Sequence, residues 1–273
     1  MIQIFIKNWS FADIMASDFG LIVCKINSDL GVETSSAGSE LNFNTVPVKN
    51  GNLYLTTDTT YDTVLESTFQ VCKYESKKGV IPISEKEQRE ISRWLNRKQL
   101  SILKLYSDTD MFDYAMFEGS FNINKIVLNG DVIGYELHFI SNRPFAFGKP
   151  IHKTIKANIA NYKYNIIDVS DEVGYIYPTK LKIKCLSSGD LTLHNSIEDR
   201  TTIIKNCESG EIITFDKFLN ISSSNQTHKI QNDFNYIYFR IANSYTSRNN
   251  QITISIPCEI IFEYKPVIKG VSL

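Results

Sequence analysis

Two acidic doublets are the residues best placed, by type and spacing, to carry out chemistry. Asp108-Thr-Asp110 and Glu198-Asp199 each bring two carboxylates close together, and a carboxylate pair is the minimum for hydrolysing a glycosidic bond. Acidic doublets in loops are more often solvated turns, and that reading is preferred for both. The four histidines, His138, His152, His194 and His228, are scattered, with no HExxH and no i, i+4 pair to hold a metal. The five cysteines, Cys24, Cys72, Cys185, Cys207 and Cys258, are odd in number and far apart. With no CxxC among them they read as reduced, buried thiols. No GxSxG, P-loop or GxGxxG occurs. Asn8-Trp-Ser10, Asn220-Ile-Ser222 and Asn225-Gln-Thr227 match the glycosylation sequon and are read as chance matches. No catalytic residue, metal ligand or cofactor-binding residue is therefore assigned, and no enzyme is expected.

Binding chemistry has a better candidate. Tyr236, Tyr238 and Arg240 fall on one face of an expected strand, opposite Ile237, Phe239 and Ile241. Open to solvent, that face could stack a sugar ring on an aromatic side chain. The plainer reading has the tyrosines covering a sandwich or a subunit contact.

The elements that would position these residues are mostly strands. Phe121 and Ile123 lead into an apolar run ending at Leu128; after Asn129-Gly130, the residues Tyr135, Leu137 and Phe139 alternate at period two. Asn-Gly between such runs marks a type I′ hairpin, because both residues tolerate positive φ. Strands are expected near 117–128 and 132–140. Leu181, Ile183 and Cys185 alternate with three lysines, and the series around Ile203, Ile212, Ile252 and Ile260 continue the style. Short strands separated by Gly, Ser and Asn turns read as a sandwich or barrel. One helix is expected over about 85–98. Ser84-Glu-Lys-Glu87 is a capping box, Ile91, Trp94 and Leu95 form an apolar face, and Arg89, Arg93 and Arg97 lie opposite. That arginine stripe is either a solvated face or a contact for acidic groups on a neighbouring subunit. A Pro- and Gly-bearing stretch, 141–150, marks the expected domain boundary.

Composition narrows the classes. At 42% hydrophobic and 12% aromatic, the 273 residues are those of a globular chain, not a disordered one. Basic and acidic residues number 29 and 30, for a net charge of −1, so nucleic acid is not an expected partner. The opening Met1–Lys7 lacks a basic region followed by an apolar core, so no signal peptide is expected. No stretch approaches the ~18 apolar residues of a membrane span, and no membrane insertion is expected.

Several segments resemble one family in order along the chain. They are Trp9-Ser-Phe11, Arg93-Trp94-Leu95, Phe117–Phe121 with Gly134–Phe139, Pro144-Phe-Ala-Phe147, Asp233–Arg240, Asn249–Ile254 and Phe262–Pro266. Together they resemble the distal tail (Dit) proteins of long-tailed phages and prophages. The resemblance implies a mainly β protein with an N-terminal β-rich, ring-forming domain over 1–145 and a C-terminal galectin-like β-sandwich over 146–273. It implies a non-enzymatic virion component at the distal end of the tail, made in the bacterial host cytoplasm and needing no cofactor. Its partners would be copies of itself in a hexameric ring, the tail tube protein, the tail-tip protein and, in some members, receptor-binding proteins. A strand over Met1–Lys7, with Ile2, Ile4 and Ile6 on one side, is expected to join the core sheet or pair with the next subunit. The alternative to a hub is a carbohydrate-binding adhesion module; a third reading is a glycan hydrolase using Asp108 or Asp110.

Overall fold

Alternation at period two puts apolar side chains on one face of a strand, so a chain patterned this way buries them by pairing strands. In the computed structural model of the chain, residues 2–5, 8–26, 40–47, 54–106, 114–244 and 246–269 are described. They form two compact units: residues 1–148 together with those from Ile268 onward, and Lys149–Val267. The structure is mainly β, as the patterning predicts.

The first unit contains strands β1 (Ile2–Phe5), β2 (Trp9–Phe11), β3 (Ile14–Met15), β4 (Leu21–Ile26), β5 (Leu41–Pro47), β6 (Tyr54–Tyr61), β7 (Glu66–Glu75) and β8 (Gly79–Val80). Helix α1 (Glu85–Leu95) follows, and then β9 (Ser101–Tyr106), β10 (Tyr114–Leu128), β11 (Asp131–Ser141) and β12 (Ala146–Phe147). The main sheet runs β1-β4-β7-β11-β10-β9-β2-β3, and β5 and β6 form a separate hairpin. The β10–β11 turn is the expected one, with Asn129 and Gly130 at φ 53° and 93°. Backbone pairing of Ile2–Phe5 with Val23–Ile26 places β1 at one end of the sheet. Met1, Ile6, Lys7 and the side chains of β1 lie outside the described residues, and so does the expected apolar side of that strand.

Helix α1 is three residues shorter than expected, because Asn96 leaves the helical region at its end. Its capping box forms: Ser84 Oγ accepts from the Glu87 amide, and the Glu87 carboxylate accepts from the Ser84 amide at 3.0 Å. Ile91, Trp94 and Leu95 are buried against the sheet. Trp94 stacks on Trp9 at 5.3 Å and on Phe19 at 4.9 Å, and its Nε1 donates to the Phe11 carbonyl at 2.7 Å. The helix is thus fixed by a plane of aromatic rings and one buried polar bond.

The second unit contains β13 (Ile151–Ala157), β14 (Tyr162–Ile167), β15 (Gly174–Ile176), β16 (Lys180–Cys185), β17 (Gly189–Asn195), β18 (Arg200–Cys207), β19 (Ile212–Phe215) and β20 (Ile221–Ser223). After the single turn α2 (Ile230–Asp233) come β21 (Ile241–Asn243), β22 (Asn249–Ile254) and β23 (Cys258–Tyr264). Two antiparallel sheets, β13-β23-β16-β19-β20 and β14-β22-β17-β18, contribute to one buried cluster. That is a β-sandwich. The lysines of β16 point outward while Leu181, Ile183 and Cys185 are buried. Among the described residues no helix is long and apolar enough to cross a membrane.

One expected element is absent. Residues 236–240 do not form a strand, and regular pairing resumes only at Ile241. Tyr236 takes φ 58°, which breaks the alternation. The Asn235 carboxamide holds this path in place: its Oδ1 accepts from the Ile203 and Ile237 amides, and its Nδ2 donates to the Thr201 carbonyl. A side chain here does what a neighbouring strand's backbone would otherwise do.

Candidate functional site

Of the two acidic doublets only Glu198-Asp199 lies among the described residues, and its two carboxylates do not converge. Asp108 and Asp110 lie outside the described residues. Glu198 turns inward to Arg240, while Asp199, at φ 50° and fully exposed, lies 3.8 Å from His194 Nε2. The described histidines have separate partners: His138 meets Glu66 and Thr68, and His152 meets Glu263. Among the described residues no group of three or more His, Cys, Asp or Glu side chains is arranged to hold a metal ion.

The aromatic candidates split, because their segment is not a strand. Tyr236 packs on Phe234 at 5.2 Å, and its hydroxyl donates to the Gln231 carbonyl. Tyr238 packs on Phe234 and Phe215 at the core's edge. Arg240 instead builds a surface patch with Tyr175 and Tyr177 from around β15. Its guanidinium lies 3.6 Å over the Tyr175 ring, and Nε and Nη2 donate to the two Glu198 oxygens in a fork. Its Nη1 donates to the Tyr177 hydroxyl at 3.4 Å. The Glu198 carboxylate holds Arg240 firmly protonated, against the opposing effect of burial. Tyr175 remains 54% exposed. The pairing of Arg240 with Tyr175 across 65 residues has no local sequence signal.

A buried polar network went unread in the sequence. Glu211, on the turn before β19, accepts from Ser223 Oγ, from the Glu208 amide at 2.9 Å and from His228 Nδ1 at 2.6 Å. His228 Nε2 lies 3.3 Å from Asp233. Burial disfavours the His228 charge, but the bond to Glu211 and the nearby negative groups outweigh it, so the imidazole titrates above its ordinary value. Burial would raise Glu211, yet the bonds from Ser223, Glu208 and His228 hold its carboxyl below the usual range. This network ties α2 and the 221–229 segment to the sandwich.

The first unit offers the features suited to docking. The β5–β6 hairpin exposes Leu41 (53%), Phe43 (58%) and Val46 (50%). Exposed apolar residues are ordinary singly, but three on one two-stranded arm, with Leu41 and Phe43 on the same face, make it unusually apolar for an exposed element. The arm also carries exposed Glu40, Asp58 and Asp62 and, among its described residues, no lysine or arginine. Asn50-Gly51, between its two strands, is the sequence signal that could have located it. On α1, the stripe Glu85, Gln88, Arg89, Ser92 and Arg93 lines, with Lys125 of β10, a groove of about 540 Å³. Arg89 and Arg93 are exposed and have no ion-pair or hydrogen-bond partner among the described residues. Arg97, beyond the helix, instead donates to the Trp94 carbonyl.

Comparison with known proteins gives this geometry a context. Residues 5–143 match the family described as the phage tail protein N-terminal domain, and residues 145–264 that described as the phage tail C-terminal domain. No curated protein matches the chain. Among solved structures, the chain is similar to the Dit protein of phage SPP1, described as a paradigm of the hub adsorption apparatus in Gram-positive-infecting phages. The TM-score is 0.62 at 10% identity, covering 96% of this chain and 99% of that one. The two proteins share a fold over nearly their whole lengths.

Proposed function

Because the chain belongs to the phage tail protein family through two consecutive domains, we propose that it is the hub at the distal end of a tail: a non-enzymatic component that closes into a hexameric ring and joins the tail tube protein to the tail-tip protein. The ring would also be the place where receptor-binding proteins attach. The observation that carries this reading is the β5–β6 hairpin. A two-stranded hairpin is marginal alone in water, and this one presents Leu41, Phe43 and Val46 to solvent. A subunit with such an arm gains by burying it on a copy of itself, and unlike complementary surfaces close a head-to-tail ring. The near-zero net charge leaves little repulsion to oppose assembly. The likeness to the SPP1 hub protein supports the same reading, and the galectin-like sandwich implied for the second unit is compatible with its two sheets. Light scattering on the purified chain should give a mass of six subunits alone, and six subunits plus the partner's mass with the tail-tip protein; a single-subunit mass for the chain in both samples overturns the ring.

One observation favours a second reading, carbohydrate binding by the second unit. Tyr175 is exposed beside Arg240 and Tyr177, the kind of aromatic platform on which a sugar ring stacks. Titration with host cell-wall polysaccharide should then show binding that Tyr175→Ala removes; equal signals from wild type and variant dismiss it.

A further inference from the structure

We infer that the ring is joined by the acidic β5–β6 hairpin of one copy seating in the arginine-lined groove along α1 of the next. This inference rests on the ring reading and names the two surfaces that meet. The groove sets three cations, Arg89, Arg93 and Lys125, against the single carboxylate of Glu85. Lys125 Nζ donates to Gln88 Oε1 at 2.9 Å and keeps its charge, while the two arginines have no side-chain partner among the described residues. They are four residues apart and so share a helix face, with forked guanidinium groups suited to carboxylates. A capped helix backed by Trp94 and Leu95 presents them on a rigid support.

The hairpin has the opposite character. Glu40, Asp58 and Asp62 are exposed; Asp58 lies on β6, and Asp62, just past its end, is tied to Glu40 by its amide donating to the Glu40 carbonyl at 2.8 Å. Asp58 is occupied only locally, accepting from the Thr59 amide. Asp58, opposite Asn44, lies on the polar face of the ribbon, while the exposed Leu41 and Phe43, opposite Tyr61 and Thr59, lie on its other face. An acidic, apolar arm and a basic groove are unlike surfaces on the same unit. A hairpin-to-groove contact therefore leaves each subunit with one free hairpin and one free groove until the ring closes.

Charge reversal tests the joint. Arg89→Glu with Arg93→Glu reverses the groove; Glu40→Lys, Asp58→Lys and Asp62→Lys reverse the arm. All five positions are exposed, so folding should persist, and circular dichroism checks it. In light scattering, each reversed protein should lose its ring, which should fall below about a tenth of the wild-type amount, since like charges facing each other oppose association strongly. An equimolar mixture of the two should regain the ring, because alternating subunits restore every contact when the subunit number is even. The five-fold variant, with both surfaces reversed, should also form rings by itself. Retention of the ring after groove reversal sinks this joint and leaves the hub standing, as does a mixture of two folded, ring-deficient proteins that fails to assemble. A wild-type chain that never forms a ring overturns the joint and the hub together.

Discussion

His228 shows how one buried side chain sets a pH dependence. Its imidazole titrates above the ordinary 6.5 and Glu211 below the ordinary 4.5. A raised histidine contributes stability that is full below its unfolded value and is lost as pH rises through the folded value. A lowered carboxyl contributes above its unfolded value and loses that contribution as pH falls through the folded one. The pair therefore supports the second unit most between about pH 4.5 and 6.5. Thermal melts across this range and above it should show stability declining on the alkaline side. His228→Gln should remove that decline and cost about 1–3 kcal/mol at pH 6, because the Glu211 charge loses its partner. Parallel pH profiles for wild type and variant rule the idea out. Arg240 teaches a different lesson at the same scale: with a fork to Glu198 and a ring beneath it, its role is to order the Tyr175 surface.

At the scale of elements, close backbone approach and aromatic packing decide what is tolerated. Gly134 of β11 lies opposite Cys72 of β7, and a Cβ there would stand 2.2 Å from the Val71 carbonyl oxygen. Gly134→Ala should therefore pull β11 away from β7 and lower stability by several kcal/mol, as an overpacked site does. A change below about 0.5 kcal/mol in urea unfolding contradicts the geometry. Helix α1 hangs on Trp94, whose ring meets Trp9 and Phe19. Trp94→Ala should cost about 3–5 kcal/mol, whereas Ser84→Ala, which removes only the cap, should cost about 1 kcal/mol. Chemical denaturation of both variants checks the order; a costlier cap mutation than tryptophan mutation would mean the helix is held by its end and not by its face.

For the whole molecule the proposed working state is an assembly. The exposed arm and the unpaired groove arginines make sense as halves of one contact. If that contact is largely ionic, salt should weaken it, since exposed charges are screened within about 8–10 Å at 0.1–0.15 M ionic strength. The ring should dissociate progressively between roughly 0.05 and 1 M NaCl by light scattering. Full insensitivity to salt would favour a contact made by the apolar residues alone.

Local pattern and spacing settled much in advance. Period-two alternation required strands, Asn129-Gly130 required a tight turn, and Ser84 to Glu87 with Ile91 and Trp94 required a capped amphipathic helix, because these depend on neighbours within a few residues. The tail-family resemblance was likewise legible, since it lies in ordered short segments. Pairings between distant residues were beyond local pattern: Arg240 with Tyr175, His228 with Glu211, and the placing of Glu198 and Asp199 on different partners. The alternation at Tyr236–Ile241 misled for the same reason, since the Asn235 side chain, bonded to residues 201 and 203, bends the path away from a strand. Periodicity fixes which face of a segment is apolar; only the tertiary structure decides which distant groups complete its hydrogen bonds and charges, because those contacts are set by chain topology.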